Sequence, residues 1–391
     1  MKLKHFFTIL IAGLLALSLV ACNGDDPTVT DTNTYAQETT EKVTNPPSAD
    51  NKISTKTYDA GDIYSNSKIL GRTVIGLDGL GFDHSSAGFE FNAYIEGKLT
   101  VDVTVSTGGE DSRTDDCYFT LFVDGVRSET RFKANKRTKT TLTLANFSEG
   151  GVHNIRFVRQ TEGRSALATV NSLTFKGYFA TKPTDAKYYI EFMGASNTAG
   201  YGNLTDVSDA NVAQLAVNQD STQSYTYLTA KNLEADYSML SVSGIGVVNG
   251  YRKYPIKAIF DSQSYYRAKA NPFDPTRIPD LVVMAVGSND EKTVAGVTTA
   301  AYKQGVIDLI TGVRAKYGKD VPIVWVYYTT TQSYRTAAKA AIAELGGTAA
   351  GIYDVEVLFD SNGGNNHPSL PSHVEGATKL TQFIKDNNIL K

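Results

Sequence analysis

The chain has few cysteines, no excess of one charge and no metal-ligand motif. The last two features each argue against a class of protein. Its 391 residues include two cysteines and carry a net charge of −3. Nucleic-acid-binding proteins usually have a clustered basic face, so we expect no nucleic-acid partner. No His, Cys and Asp residues stand at the spacing of metal ligands, so we expect no metal and no cofactor. No apolar lid with helical amphipathicity is visible, which argues against a lipase.

The first residues have the features of a secretory signal. Two lysines precede an apolar run over residues 6–21, which ends in small residues before Cys22. This pattern is typical of a cleaved signal and not of a transmembrane helix. The sequence Leu-Val-Ala-Cys at 19–22 resembles the lipobox of bacterial lipoproteins, which implies cleavage before Cys22, lipidation of its sulfur and firm membrane attachment. Cys117 is then the only free thiol, so the mature chain has no internal disulfide and depends on its cores for stability.

The composition divides the chain into four segments. Residues 1–21 are the predicted lipoprotein signal peptide, 22–52 a flexible tether, 53–180 a β domain and 186–391 an α/β domain. The tether is poor in apolar residues, so it cannot bury enough surface to offset its ordering entropy. As a flexible coil of roughly 30 residues, it spans on the order of 30 Å.

The β domain is predicted from short alternating strands. Residues 89–96 and 99–105 alternate with period two, and Asp124-Gly125 after the strand over 117–123 is a strong hairpin signal. No helix is expected here, so the pattern favours a β-sandwich or jelly roll. We interpret His153, which lies on an alternating strand, as a packing or surface residue and not as a ligand.

The spacing of apolar residues changes after residue 182, where apolar strands begin to alternate with helices. Strands are predicted over 188–193, 237–242, 281–286, 321–327 and 352–358, and helices over 221–235, 299–317, 333–345 and 372–386. This alternation predicts a three-layer, doubly wound parallel sheet with helices on both faces.

Ser196 directly follows the first of these strands, in the loop Gly-Ala-Ser-Asn-Thr-Ala-Gly-Tyr-Gly at 194–202. Gly246, Asn289 and His367 lie in three later loops that also follow strands. The strand ends of a doubly wound sheet converge on one edge, where such sheets bind ligands. A serine hydroxyl needs a base, and histidine has a suitable pKa for that task. The Asn289 amide, with the backbone N–H groups of Ser196 and Gly246, is suited to bind an oxyanion.

Together, the short sequences around Ser196, Gly246, Asn289 and His367 resemble the four sequence blocks of the SGNH (GDSL-type) hydrolases. They occur in that family's order and cover residues 186–391. Three further stretches, at 86–91, 153–163 and 241–246, look like carbohydrate esterase family two. The resemblance implies a jelly roll before an SGNH domain of flavodoxin-like type, and removal of acetyl groups from plant or microbial polysaccharides. It also implies that Ser196 is the nucleophile and His367 the base, and that Gly246 and Asn289 complete the oxyanion hole.

Two positions depart from the family pattern. Ala195 replaces the acid of the usual Gly-Asp-Ser, and Gly364 and Asn365 occupy the positions where an aspartate usually precedes the histidine. We therefore expect the ring of His367 to be oriented by the Asn365 side-chain oxygen or by a backbone carbonyl. Asp360 is a further candidate but is interpreted as a strand-end turn residue, and His373, in the last helix, as structural.

The leading hypothesis is a carbohydrate O-acetylesterase that works through a Ser196 and His367 pair. Its partners are an acetylated polysaccharide or oligosaccharide and a membrane, reached through the lipid at Cys22. We expect a monomer in the bacterial cell envelope, on an extracytoplasmic side. Two alternatives are a catalytically impaired glycan-binding lipoprotein and an SGNH esterase that acts on another acyl ester.

Overall fold

The computed structural model describes residues 53–76, 78–106, 116–252, 254–265, 272–292, 296–328 and 331–391. The predicted signal peptide, the lipidation site at Cys22 and the tether lie outside the described residues. The described residues all fall within one compact unit, so the division into a β domain and an α/β domain stays a prediction. Within these ranges, no helix is both long enough and apolar enough to span a membrane.

The first half of the described chain forms one curled antiparallel sheet. Its strands are β1 Thr55–Asp59, β2 Lys68–Leu70, β3 Val74–Gly76, β4 Gly79–Phe82, β5 Gly88–Ser106, β6 Cys117–Val123, β7 Val126–Arg127, β8 Phe132–Ala134, β9 Lys139–Arg159 and β10 Leu167–Phe179. The main path is β3-β4-β10-β5-β9-β6-β7, and β1, β2 and β8 pair with β10, β5 and β6. The pairing of β5 with β9 shifts register between Ile95 and Gly97, and such a bulge bends a strand. The alternating strands are therefore confirmed, whereas the jelly roll stays a prediction.

Two local features of this sheet differ in how well the sequence predicts them. The hairpin at Asp124-Gly125 is confirmed, because both residues have positive φ, 51° and 77°, as a two-residue type I′ turn requires. The expectation of no helix is wrong, because Ala60–Asn66 forms helix α1, which begins with a capping box between Asp59 and Asp62. This helix buries only Ile63, so no apolar period marks it in the sequence.

The second half contains the predicted parallel sheet. Its strands are β11 Tyr189–Gly194, β12 Asp236–Ser241, β13 Leu281–Ala285, β14 Ile323–Tyr327 and β15 Ile352–Glu356. Their order is β12-β11-β13-β14-β15, and every neighbouring pair is parallel. The chain moves from β11 to β12 on one side and then to β13 on the other. The order therefore reverses at β11, the position at which such sheets open a crevice for ligands.

Helices cover both faces of the parallel sheet. They are α2 Ser196–Ala199, α3 Ala210–Ala213, α4 Tyr225–Asn232, α5 Ile256–Phe260, α6 Ser288–Lys292, α7 Thr299–Tyr317, α8 Gln332–Glu344 and α9 Leu370–Asp386. Residues of α7 and α8 share one core with Met193 of β11, whereas residues of α4 and α9 share another with Phe192. Successive residues of a strand face opposite sides, so β11 contributes to both cores. The helix predicted over 221–235 is shorter than expected because Ser224 caps α4.

A buried ion pair joins the antiparallel sheet to the parallel one. Arg72, between β2 and β3, is 2% exposed and Glu191 of β11 is 0% exposed, and Arg72 Nη2 lies 2.7 Å from Glu191 Oε1. Arg72 Nη1 donates to the carbonyl oxygens of Phe260 and Ser262, each at 2.7 Å. These bonds compensate for the desolvation of both charges, so the contact fixes the antiparallel sheet against the strand that leads to Ser196.

Candidate active site

Three of the four predicted site residues follow neighbouring strands at the carboxyl edge of the parallel sheet. Ser196 comes two residues after β11, Gly246 follows β12, and Asn289 lies in α6 directly after β13. Because β12 and β13 flank β11, these three residues follow the strand ends at the reversal of strand order, where such sheets bind ligands. His367 comes from the long loop after β15, which contacts the loop that follows Ser196.

Ser196 begins the short helix α2, where the chain turns sharply out of β11. Its side chain is half-buried, and the preceding residue, Ala195, has φ −109° and ψ −142°. A Cβ atom at Gly194 would lie 2.0 Å from Thr198 Oγ1, so only glycine allows the helix to begin this close to the strand. The predicted nucleophile is thus presented at a rigid strand-to-helix turn.

The ring of His367 is oriented by backbone carbonyls. Its Nδ1 lies 2.9 Å from the carbonyl oxygen of Asn365 and 3.2 Å from that of Gly364. Asn365 and Asn366 both have left-handed backbone conformations, with φ 52° and 56°, which asparagine adopts more readily than most residues. A carbonyl oxygen only accepts hydrogen bonds, so Nδ1 carries the proton and Nε2 is left as the basic nitrogen.

The loop of His367 packs against the loop that follows Ser196. The Gly364 N–H donates to the Gly202 carbonyl at 2.9 Å, and a Cβ atom at Gly202, whose φ is +66°, would lie 2.8 Å from the Gly364 carbonyl. Tyr201 connects the two loops: its N–H donates to the Ser196 carbonyl at 3.0 Å, and its ring centroid lies 4.4 Å from that of His367. Tyr201 therefore contacts both the backbone of the predicted nucleophile and the ring of the predicted base.

Asp360 stabilises the loop that carries His367. Its carboxylate accepts the backbone N–H of Ser369 at 2.8 Å and the Ser369 hydroxyl at 2.5 Å, and Ser369 is the N-cap of α9. Although partial burial opposes the effect, the hydrogen bonds from Ser369 and Asn362 lower the pKa of the Asp360 carboxyl. Asp360 is thus a loop-ordering residue, in line with the turn role predicted from the sequence.

The chain around Gly246, part of the predicted oxyanion hole, contacts two adjacent residues that follow β13. Asn289 Nδ2 donates to the carbonyl oxygen of Ile245 at 2.8 Å, which places its amide beside Gly246. Asp290 accepts the backbone N–H groups of Val247 and Val248, at 2.8 and 2.7 Å, so one carboxylate fixes the chain after Gly246. Burial raises the pKa of Asp290 although these N–H groups favour its charged form. In the sequence Asp290 directly follows Asn289, but nothing in its spacing indicates this contact.

His373 lies inside α9 and is fully buried. Its Nδ1 accepts the N–H of Tyr225 at 3.2 Å, which requires a neutral ring. Burial is the main reason that its pKa falls from 6.5 to about 3. These contacts support the structural role predicted for it.

The burial of neutral His373 predicts a pH dependence of stability. Below pH 6.5 the unfolded chain binds a proton at this residue that the folded chain does not bind until about pH 3, so folding is destabilised as the pH falls across that window. We expect the slope of unfolding free energy against pH, measured by urea denaturation between pH 6.5 and 5, to be shallower in His373→Asn. The difference approaches about 1.4 kcal/mol per pH unit. Equal slopes in both proteins would contradict this prediction.

Within the described part of the chain, no group of three or more His, Cys, Asp or Glu side chains is arranged to hold a metal ion. The candidate site itself offers a hydroxyl, an imidazole, a side-chain amide and backbone N–H groups. This set is suited to acyl transfer, in which an oxygen nucleophile attacks a carbonyl and an oxyanion must be stabilised.

Comparison with known proteins gives one family match and several relatives. Residues 69–183 match the family described as carbohydrate esterase 2 N-terminal. The chain is 30% identical to the cellulase/esterase CelE of Acetivibrio thermocellus over 77% of its own length, and 26% identical to an acetylxylan esterase/glucomannan deacetylase of Cellvibrio japonicus over 56%. It spans 37% and 65% of the lengths of these two relatives.

Solved structures share the fold of the described residues. A family two carbohydrate esterase from Clostridium thermocellum, in complex with cellohexaose, superposes with a TM-score of 0.72 at 24% identity and covers 83% of this chain and 100% of its own. An acetyl xylan esterase from the rumen bacterium Butyrivibrio proteoclasticus has a TM-score of 0.73 at 18% identity, over 86% and 100% of the two chains.

Proposed function

We propose that this chain, whose residues 69–183 match the N-terminal family of carbohydrate esterase 2, is a serine esterase that removes acetyl groups from polysaccharides. The observation that carries the proposal is the convergence of Ser196 and His367 on Tyr201, whose N–H bonds to the Ser196 carbonyl and whose ring contacts His367. The names of the relatives, which include an acetylxylan esterase/glucomannan deacetylase, support acetylated plant polysaccharide as the substrate class.

The proposed reaction is acyl transfer through an acetyl-enzyme. Ser196 Oγ attacks the acetyl carbonyl carbon while His367 Nε2 takes the hydroxyl proton, and the carbonyl oxygen becomes an oxyanion bound by Asn289 and the N–H groups of Ser196 and Gly246. Collapse breaks the bond to the sugar oxygen, which receives the proton from the imidazolium. Water then attacks the acetyl group with His367 again as the base, and acetate leaves. The Asn365 carbonyl stabilises the imidazolium in place of the carboxylate of a triad.

We also propose where the protein lies in the cell and what fold its antiparallel sheet has. The lipobox-like sequence before Cys22 supports a lipid-anchored protein in the bacterial cell envelope, on an extracytoplasmic side. The curled antiparallel sheet, with its long bulged strands, is proposed to be a jelly roll that precedes the SGNH-type domain.

Acetate release from acetylated xylan, acetylated glucomannan and O-acetylated peptidoglycan tests this function. We expect the purified protein to release acetate from xylan or glucomannan, and an enzymatic acetate assay measures it. Binding of these polysaccharides without any acetate release would contradict the proposal and favour a glycan-binding protein. Release from peptidoglycan alone would keep the esterase and exclude the plant substrate.

Asn289→Ala is expected to lower kcat/KM on an aryl acetate about 10²- to 10³-fold, the usual loss for one oxyanion donor. The amide lies beside Gly246 through its 2.8 Å bond to the Ile245 carbonyl, so its removal takes one donor from the proposed hole. Steady-state kinetics measures the loss. Asn232→Ala is the matched control, because that amide bonds to Thr381 between α4 and α9. A loss of less than threefold in Asn289→Ala would remove Asn289 from the mechanism.

A further inference from the structure

One turn of the antiparallel sheet reaches both halves of the candidate active site. The turn connects β9 with β10 and carries Glu162 and Arg164. Glu162 Oε2 accepts the N–H of Ser243 at 2.5 Å, and Ser243 begins the loop that leads to Gly246. The guanidinium of Arg164 lies 5.9 Å from the ring centroid of Tyr201, the residue that contacts both Ser196 and His367. A single turn outside the parallel sheet thus bonds to the backbone that precedes Gly246 and lies beside Tyr201.

The two charged residues of this turn are also linked to each other. Arg164 Nε lies 3.6 Å from Glu162 Oε1, and their side chains are 11% and 0% exposed. Arg164 also bonds to Gln214 Oε1, at 3.3 Å from each terminal nitrogen. A carboxylate without solvent contact is costly unless its charge is used in strong bonds. The Glu162 carboxylate accepts the backbone N–H of Ser243 in a charge-assisted hydrogen bond, and such bonds are shorter and stronger than neutral ones.

The backbone of the turn is rigid, so it can act as a support. Fully buried Arg159 donates to the carbonyl oxygens of Thr161, Glu162 and Phe82 at 2.7, 2.8 and 2.6 Å. A Cβ atom at Gly163 would lie 2.6 Å from the Asp83 carbonyl, which shows how closely the neighbouring chain packs on the turn. The Glu162 carboxylate is therefore presented from a fixed backbone.

We propose that Glu162 is a positioning residue, which fixes the loop between Ser243 and Gly246 by accepting the N–H of Ser243. Arg164, which lies beside Tyr201, holds the Glu162 carboxylate in place through their ion pair. This inference rests on the proposed function, because it assigns a role within the same reaction. Asp290 fixes the chain after Gly246, and Glu162 fixes the chain before it. An oxyanion donor acts only when it is placed accurately, and a displacement of about 1 Å costs roughly 10²-fold in rate.

Kinetics of Glu162→Ala and Glu162→Gln test the proposal. We expect Glu162→Ala to lower kcat on an aryl acetate about 10²-fold with KM changed less than threefold, because the loop is needed most in the transition state. Glu162→Gln retains an oxygen that accepts the Ser243 N–H, so we expect it to recover kcat to within about tenfold of the wild type. Inhibition by a small alkyl boronic acid, which forms a tetrahedral adduct with a serine, should weaken in Glu162→Ala in parallel with kcat.

Glu90→Gln is the matched control. Glu90 is another buried acid of the antiparallel sheet, 6% exposed, and it binds Lys68 and Arg156 away from the active-site loops. We expect this variant to lose thermal stability and keep its kcat.

Wild-type kcat and boronate affinity in a folded Glu162→Ala would overturn the inference while leaving the esterase intact. A wild-type protein that releases no acetate and binds no boronate would instead overturn the proposed function. If Glu162→Ala does not fold, wild-type kcat and boronate affinity in a folded Glu162→Leu would also overturn the inference.

Discussion

Ser196→Ala is expected to abolish acetate release, with a fall in kcat of roughly 10⁴- to 10⁶-fold, as for other serine hydrolases that lose the nucleophile. Covalent catalysis needs an oxygen at the turn between β11 and α2. The nearest alternative along the helix, Thr198, is 1% exposed, and its hydroxyl bonds to the Tyr225 hydroxyl at 3.2 Å. No rescue by a neighbouring hydroxyl of α2 is therefore expected.

The measurement compares the variant with the wild type on an aryl acetate and on acetylated xylan. Because Ser196 is half-buried at the start of a four-residue helix, the substitution leaves the cores intact, and we expect the melting temperature to change by only a few degrees. Ser172→Ala, which removes a half-buried hydroxyl from β10, is the control and should keep its activity. Wild-type rates in Ser196→Ala would exclude Ser196 as the nucleophile.

The sequence predicts the parallel sheet well because the signals of α/β folds are local. Apolar runs mark the buried strands, and the helix predicted over 299–317 matches α7 at both ends. The N-terminal helix α1 escapes notice because it buries only Ile63. Short helices of this kind are fixed by their caps and by the sheet beneath them, and an apolar period does not reveal them.

Contacts between distant parts of the chain could not be predicted in the same way. The bond from the Ser243 N–H to Glu162 joins residues 81 positions apart, and only the packing of the antiparallel sheet on the parallel sheet brings them together. From the sequence, the ring partner of His367 is either a side chain or a backbone carbonyl. In the structure, His367 Nδ1 lies 2.9 Å from the carbonyl oxygen of Asn365, because the left-handed conformations of Asn365 and Asn366 turn that carbonyl toward the ring.

His367→Ala is the second substitution with a very large expected effect. Without the imidazole no group takes the proton from Ser196, so we expect kcat to fall roughly 10⁴- to 10⁶-fold, close to the loss in Ser196→Ala. Since the two residues act as a unit, the double variant should be hardly slower than either single one. A double variant whose loss equals the product of the two single losses would mean that they act independently and that the proposed pair is wrong.

The carbonyl that orients the ring belongs to the backbone, which makes the role of the Asn365 side chain separable. Asn365→Gly keeps both the carbonyl and the positive φ of 52°, so we expect kcat within about tenfold of the wild type. Asn365→Val also has a backbone carbonyl, but a β-branched residue disfavours positive φ. We therefore expect a much larger loss of kcat in this variant. Steady-state kinetics of these two variants beside His367→Ala distinguishes a backbone orienter from a side-chain one. Equal and large losses in the glycine and valine variants would indicate that the Asn365 side chain orients His367.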